Sequence, residues 1–222
     1  MGVLSNWAKR EDLKPGDHIY SWRTAYLYAH HGIYAGEGKV IHFTRGAGQE
    51  IGTGTVLDRI IISSCPSRPL DNPCPTCGDQ PRQDGVISSC IDCFLSGGEL
   101  YVFEYGVSPV LFIAKARGGT CTIAASDPPE DVLHRAFFLL ENGFGVYSLF
   151  KNNCEDFAMY CKTGLLVSTS ISGVGRSGQA SSIFAAANTV ITSTVRYFTT
   201  SFGVLMPVNY GMYCASRFVS DI

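Results

Sequence analysis

The chain has 222 residues, a formal net charge of −2, and 45% hydrophobic against 16% charged residues. That length suits one domain with an insert or appendage, and the composition is that of a globular chain able to bury a core. So small a net charge leaves no electrostatic footprint for nucleic acid. The opening residues, Met1-Gly-Val-Leu-Ser-Asn-Trp7, carry neither the basic segment nor the apolar run of a secretory signal. Asn6 also stands where an N-myristoylation motif wants Ser or Thr. Nine cysteines without an export signal imply a reducing compartment, where they act as metal ligands, a nucleophile or core fillers. The expected location is therefore cytoplasmic.

In chain order, Leu13-Lys-Pro-Gly-Asp17 is a turn signal leading into the alternating run His18–Arg23, which reads as a strand. Ala29–Ala35 and Lys39–Phe43 read as two strands joined by a tight turn at Gly36-Glu-Gly38. That hairpin sets His30 and His42 on neighbouring strands. A further β-rich run extends from Ile51 to Ile62. Residues 65–93 break the pattern with Pro, Gly and five cysteines, and read as an insert. Glu99–Gly106 and Pro109–Lys115 are expected as more strands.

Asp127-Pro-Pro-Glu130 has the form of a helix start, with Asp as N-cap and Pro at the first helical position. Val132, Leu133, Ala136, Phe137, Leu139 and Leu140 then form an apolar stripe, and Gly143 a stop. A second helix is predicted from Cys154 to Lys162, capped by Asn152 or Asn153 and ended by Gly164, with Cys154, Phe157, Ala158 and Cys161 at helical spacing. Beyond it, 168–182 is a Gly/Ser-rich linker. Two charge-free stretches, between Arg176, Arg196 and Arg217, have bilayer length, but Asn188, Pro207, Asn209 and Gly211 interrupt them. A packed helix or a membrane-skimming segment is the plainer expectation. The fold class is α+β, a small antiparallel sheet packed on helices, with a domain at 9–165, an insert at 65–95 and an apolar region at 166–222.

Two histidines and a cysteine carry the chemistry. A thiol is nucleophilic as thiolate, and an adjacent imidazole takes its proton while a further polar group fixes the tautomer. Cys154 at a helix start is well placed, because the orphan N–H groups and the dipole there lower a thiol's pKa. An N–H at that end can also help to form an oxyanion hole. Set against this, Cys154 lies in the same stripe as Phe157 and Cys161, as a plain core cysteine would. His31 is an alternative base to His30, on the opposite strand face. Spacing alone leaves that choice open.

Four segments carry a resemblance: Lys14-Pro-Gly-Asp17, the run from His30 to Gly36 with Gly-Ile-Tyr at its centre, Val40-Ile-His42, and Asn153-Cys-Glu-Asp-Phe157. Residues 13–43 and 130–164 resemble the lecithin:retinol acyltransferase and HRAS-like-suppressor family, within the permuted NlpC/P60 group of papain-like enzymes. The cysteine-rich segment and residues 173–180 are most similar to its plant NC-domain branch. The resemblance implies His30 as general base, His42 as the third member and Cys154 as nucleophile. It also implies Tyr28 near the oxyanion, with Asn153 in support. His31 then becomes a solvent-facing or packing residue. Asp156 stands where the family's lipid enzymes often have His, a departure outside the triad that bears on substrate class. The implied activity is a thiol-dependent acyltransferase or phospholipase, taking an acyl group from a glycerophospholipid or related ester through an acyl-cysteine. The implied partners are a lipid donor, an acceptor of unknown identity, and a membrane surface met through the C-terminal region. A cysteine peptidase or amidase, and a non-catalytic zinc-stapled interaction module, are the rival readings.

Cys74-Pro-Thr-Cys77 and Cys90-Ile-Asp-Cys93 together make C-x2-C-x12-C-x2-C. Two such pairs wrap one tetrahedral ion, so structural zinc is expected on Cys74, Cys77, Cys90 and Cys93, and no organic cofactor. Redox-active or incidental pairs are the alternative, and Cys65 is a fifth thiol the site does not need.

Overall fold

Alternating side chains and a two-residue reversal build the centre of the molecule. In a computed structural model, which describes residues 6–23, 28–45, 74–78, 84–115, 119–145, 153–165 and 211, strand β1 (His18–Arg23) pairs antiparallel with β2 (Tyr28–Gly36). Strand β2 turns into β3 (Lys39–Arg45) at Glu37 and Gly38, both with left-handed φ (51° and 70°). Consecutive positive φ values mark the hairpin turn whose twist matches that of its strands. The register places Ile33 opposite Ile41, with an irregularity between Tyr34 and Gly36.

The sheet continues on both sides, in the order β4-β3-β2-β1-β5, with β4 at Asp84–Cys90 and β5 at Tyr101–Val102. The segment expected as an insert is thus partly built into the sheet. Strand β4 pairs with β3 from Arg45↔Asp84 to Lys39↔Cys90, and helix α1 (Ile91–Leu95) follows directly. The strand expected over 99–106 is shorter than its pattern suggested, and Glu104 makes only an isolated bridge to Cys121.

Pro109–Lys115, expected as a strand, is a helix, α2 (Pro109–Ala114). Ser108 caps it by accepting from the Leu111 N–H, and Pro109 supplies a first-turn φ without needing a donor. Its apolar run is short enough for either structure, so the cap decides. Helix α3 (Pro129–Asn142) begins one residue later than its sequence suggests: Pro128 is the N-cap. Asp127 instead accepts from Arg135 at 2.7 Å, and its N–H donates to the Lys162 carbonyl. It therefore ties α3 to α4 (Cys154–Thr163). Within the expected stripe Val132, Ala136 and Leu139 are buried, but Phe137 is exposed.

Strand alternation sorts the core onto two faces. Ile33, Ile41 and Phe43 meet α3 and α4 through Val132, Ala136, Phe157, Ala158 and Cys161. On the opposite face Ile19 and Val40 meet Ile91, Phe94 and Leu95 of α1. The run at Ile51–Ile62, Cys65, the 168–182 linker and the apolar C-terminal stretches lie outside the described residues. Among the described residues no helix is long and apolar enough to cross a membrane.

Gly32 lies under this second face. A Cβ added there would meet Val40 at 2.8 Å, Phe94 at 2.9 Å and the His42 Cβ at 3.0 Å. Replacing Gly32 with Ala is expected to lower stability by about 1–3 kcal/mol through overpacking, read from urea denaturation. An unchanged midpoint would show that the α1 face is looser than described.

Candidate active site and four-cysteine cluster

Helix α4 starts with a reciprocal cap. The Asn153 side chain accepts from the N–H groups of Glu155 and Asp156, and Asp156 accepts from the Asn153 N–H at 3.0 Å. This capping box anchors the first turn. It also gives Asp156 a role: the residue that departs from the family's lipid-enzyme motif is a capping side chain. Burial pushes its carboxyl up to about 6, against the pull of the Asn153 N–H. Cys154, the first residue of the helix, is fully buried. Its Sγ lies 2.9 Å from the Tyr28 hydroxyl and 3.8 Å from the Ala29 carbonyl oxygen. Two turns along, burial pushes the Cys161 thiol far up, which makes it inert.

The histidines form a chain. His30 Nε2 is 2.8 Å from His42 Nδ1, with the rings at 88° to each other. His42 Nε2 is in turn 2.9 Å from the Ser89 hydroxyl on β4. Phe94 of α1 packs against both rings, at 5.3 Å from His30 and 5.4 Å from His42. Burial, and then the nearby Arg23 charge, hold His30 well below the ordinary histidine pKa. Arg23 is itself fixed by donating to the carbonyls of Phe94 and Leu95. A neutral imidazole at neutral pH is the form a general base requires.

The structure therefore brings Tyr28, Asn153 and Cys154 together where β2 begins, and pairs His30 with His42. Tyr28 makes the contact to the sulfur and packs with Cys154, Ile33 and Ile41, while the His30 and His42 rings pack against Phe94 on the α1 side. Ser89, Arg23 and Phe94 went unnoticed in the sequence. Only the alternation of β4 could have pointed to Ser89.

His31 faces the other way, and it is a packing residue rather than a solvent-facing one. Its Nδ1 is 2.8 Å from His18 Nε2, His18 Nδ1 is 2.8 Å from the Tyr105 hydroxyl, and Tyr20 stacks on its ring. Burial holds both His18 and His31 well below the ordinary value.

The second cluster comprises Cys74, Cys77, Cys90 and Cys93, whose sulfurs all lie within 4.8 Å of one another. Separations of 3.7, 3.7 and 3.5 Å link Cys74 to Cys90, Cys77 to Cys90 and Cys77 to Cys93. Four thiolates about 2.3 Å from a shared tetrahedral ion would sit about 3.8 Å apart, so the donor set fits a metal. The first pair is shaped for it. Cys74 and Gly78 exchange backbone hydrogen bonds, Gly78 takes φ +65°, and the N–H groups of Cys77 and Thr76 draw the Cys74 thiol down to about 6.

A five-stranded antiparallel sheet bearing paired histidines, with a cysteine at the start of the helix beside it, is an α+β architecture compatible with a lecithin:retinol acyltransferase domain. The sequence comparisons agree. The model of the family described as Lecithin retinol acyltransferase matches residues 11–167. Protein LEAD-SENSITIVE 1 of Arabidopsis thaliana is 58% identical over 223 residues, spanning 100% of this chain and 85% of that protein. The chain belongs to the lecithin retinol acyltransferase family. Membership suggests activity of the acyltransferase or phospholipase type, while the relative's name specifies neither a reaction nor a substrate.

The buried histidines set a pH dependence. His18, His30 and His31 stay neutral when folded but protonate on unfolding below about pH 6.5. The unfolded chain then binds more protons, so stability falls as pH drops from about 6.5, with a limit of about 4 kcal/mol per pH unit for three sites. Asp156, raised to about 6, works in the opposite direction between about pH 4 and 6 and offsets up to one of those protons. Urea midpoints at pH 7 and pH 5 should differ by more than one proton's slope. Equal midpoints would mean that the histidines titrate normally in the folded chain.

Proposed function

We propose that this protein is a thiol-dependent acyltransferase or phospholipase that forms an acyl-cysteine on Cys154 from a glycerophospholipid or related ester. The observation that carries the reading is the placement of the Cys154 sulfur against Tyr28 and Ala29, at the start of the strand that holds His30, whose ring pairs with His42 of the next strand. The order His–His–Cys is that of a permuted papain-like enzyme.

His42 engages Nε2 of His30, so the thiol proton passes to His30 Nδ1. The thiolate attacks the ester carbonyl carbon, forming the S–C bond as the carbonyl electron pair moves onto oxygen. Collapse breaks the bond from carbon to the alkoxy oxygen, and His30 returns the proton to the departing alcohol. An acceptor alcohol, amine or water then gives its proton to His30 and displaces the sulfur. Asn153 occupies the N–H groups of Glu155 and Asp156, which removes them as oxyanion donors. The Tyr28 hydroxyl, already on the sulfur, takes that role, and Asn153 supports the site through the cap.

The four-cysteine cluster is read as a structural zinc site, because four thiolates leave no open coordination position. It takes no step in the reaction. Atomic spectroscopy should find about one zinc per chain, and its removal should lower the thermal midpoint, since a tied segment loses its staple. A metal-free preparation with an unchanged midpoint would refute the site.

The full burial of Cys154 favours a second reading, a zinc-stapled interaction module whose thiol is unused. Incubation with phosphatidylcholine followed by mass spectrometry separates the two. The enzyme gains one acyl mass on Cys154, and Tyr28→Phe slows that gain by about 10²-fold, as expected for a lost oxyanion donor. Absence of the adduct, together with full biological function in Cys154→Ser, would favour the module.

A further inference from the structure

We infer that Ser89 and the backbone carbonyl of Cys90 set the direction of the histidine hydrogen-bond chain, and that the four-cysteine centre holds them in place. The inference deepens the acyl-transfer reading and rests on it for its catalytic consequence, though not for its structural one.

The chain His30–His42–Ser89 can run in either of two directions. If the Ser89 hydroxyl donated to His42 Nε2, His42 Nδ1 would carry the proton and donate to His30 Nε2. The neutral His30 would then have its proton on Nδ1, where it could not accept one from a thiol. In the reverse direction His42 Nε2–H donates to Ser89, His30 Nε2–H donates to His42 Nδ1, and His30 Nδ1 presents a lone pair. Chemistry needs the second polarity. Ser89 adopts it when its own proton has somewhere else to go, and the Cys90 carbonyl oxygen lies 3.4 Å from its Oγ. Side chains at alternate positions share a strand face, so Ser89 on β4 reaches across to His42 on β3 while Cys90 points to the other side.

Cys90 is also a member of the cysteine cluster. It caps α1, whose Cys93 is another member and whose Phe94 packs on both histidine rings. A five-residue helix has little stability of its own. The Ile91 N–H bond to the Gly38 carbonyl, the Arg23 bonds to the Phe94 and Leu95 carbonyls, the packing on Ile19 and Val40, and the cluster together fix this corner. Two of the contacts on His42, the Ser89 hydroxyl and the Phe94 ring, thus come from the residues that immediately flank Cys90 and Cys93. Ser89 is a positioning residue: it acts on the sulfur through two imidazoles.

The test uses the full chain with its metal. Ser89→Ala should keep its metal content and fold while acylation of Cys154 slows about ten- to a hundredfold, the usual cost of losing a partner that orients a histidine. Ser89→Thr, which keeps the hydroxyl, should restore the rate. Nitrogen-15 NMR of the His42 ring gives a readout independent of catalysis: Nε2 protonated and Nδ1 accepting in the parent, with that preference lost in Ser89→Ala and regained in Ser89→Thr. Chelation of the metal should shift the His42 ring signals in the same way while amide protection at Val132 and Phe157 persists. Unchanged His42 signals in Ser89→Ala overturn the inference even if no acyl transfer is ever found. Loss of protection at Val132 and Phe157 on chelation overturns the local clamp, since the metal would then hold the whole fold.

Discussion

The register of the β2–β3 hairpin is the constraint on which the rest depends. A slip of one residue would send every side chain to the opposite face, separating His42 from His30 and placing it against α3 and α4. Glu37 and Gly38 in left-handed conformations fix the reversal, and the pairing of Ile33 with Ile41 fixes the faces. Apolar burial and site assembly therefore select the same register. The energy that buries Ile33, Ile41 and Phe43 on one side is what aligns the histidines on the other.

Burying polar groups on that second side has a chemical consequence. In a low-dielectric interior a buried imidazole nitrogen gains from a partner, so His30 Nε2 pairs with His42 Nδ1 and His42 Nε2 with Ser89. The same burial keeps His30 neutral. One physical term, desolvation, thus both favours the chain of hydrogen bonds and keeps its His30 end neutral. At the other end of the site the capping box does comparable work. It occupies the N–H groups of Glu155 and Asp156 and so anchors the turn that carries Cys154.

The hairpin, β1 and α4 could be read from the sequence because their signals are local: strict alternation, a Gly-Glu-Gly turn, and a helix bounded by Asn153 and Gly164. With the family resemblance added, so could the pairing of His30 with His42. Helix α2 was misread because Val110-Leu-Phe-Ile113 is too short to show a period, and its identity lies in the Ser108 cap. The start of α3 moved by one residue because Asp127 found a stronger partner in Arg135 than in a helix N-terminus. Ser89 was invisible for a different reason. It lies 47 residues from His42, in a stretch whose cysteines and glycines obscure the alternation of β4, and the sheet pairing reveals it.

That pairing also changes what the cysteine cluster is for. As an insert stapled by its own metal, it would be an accessory that the catalytic domain could lose. Two of its four thiols instead sit at the junction of an edge strand and a helix of five residues, which is too short to be stable by itself. Edge strands are the least constrained part of a sheet, since one side lacks a partner. Four sulfurs within 4.8 Å of one another set the end of β4 beside α1, and Phe94 of α1 is the surface against which both histidine rings pack.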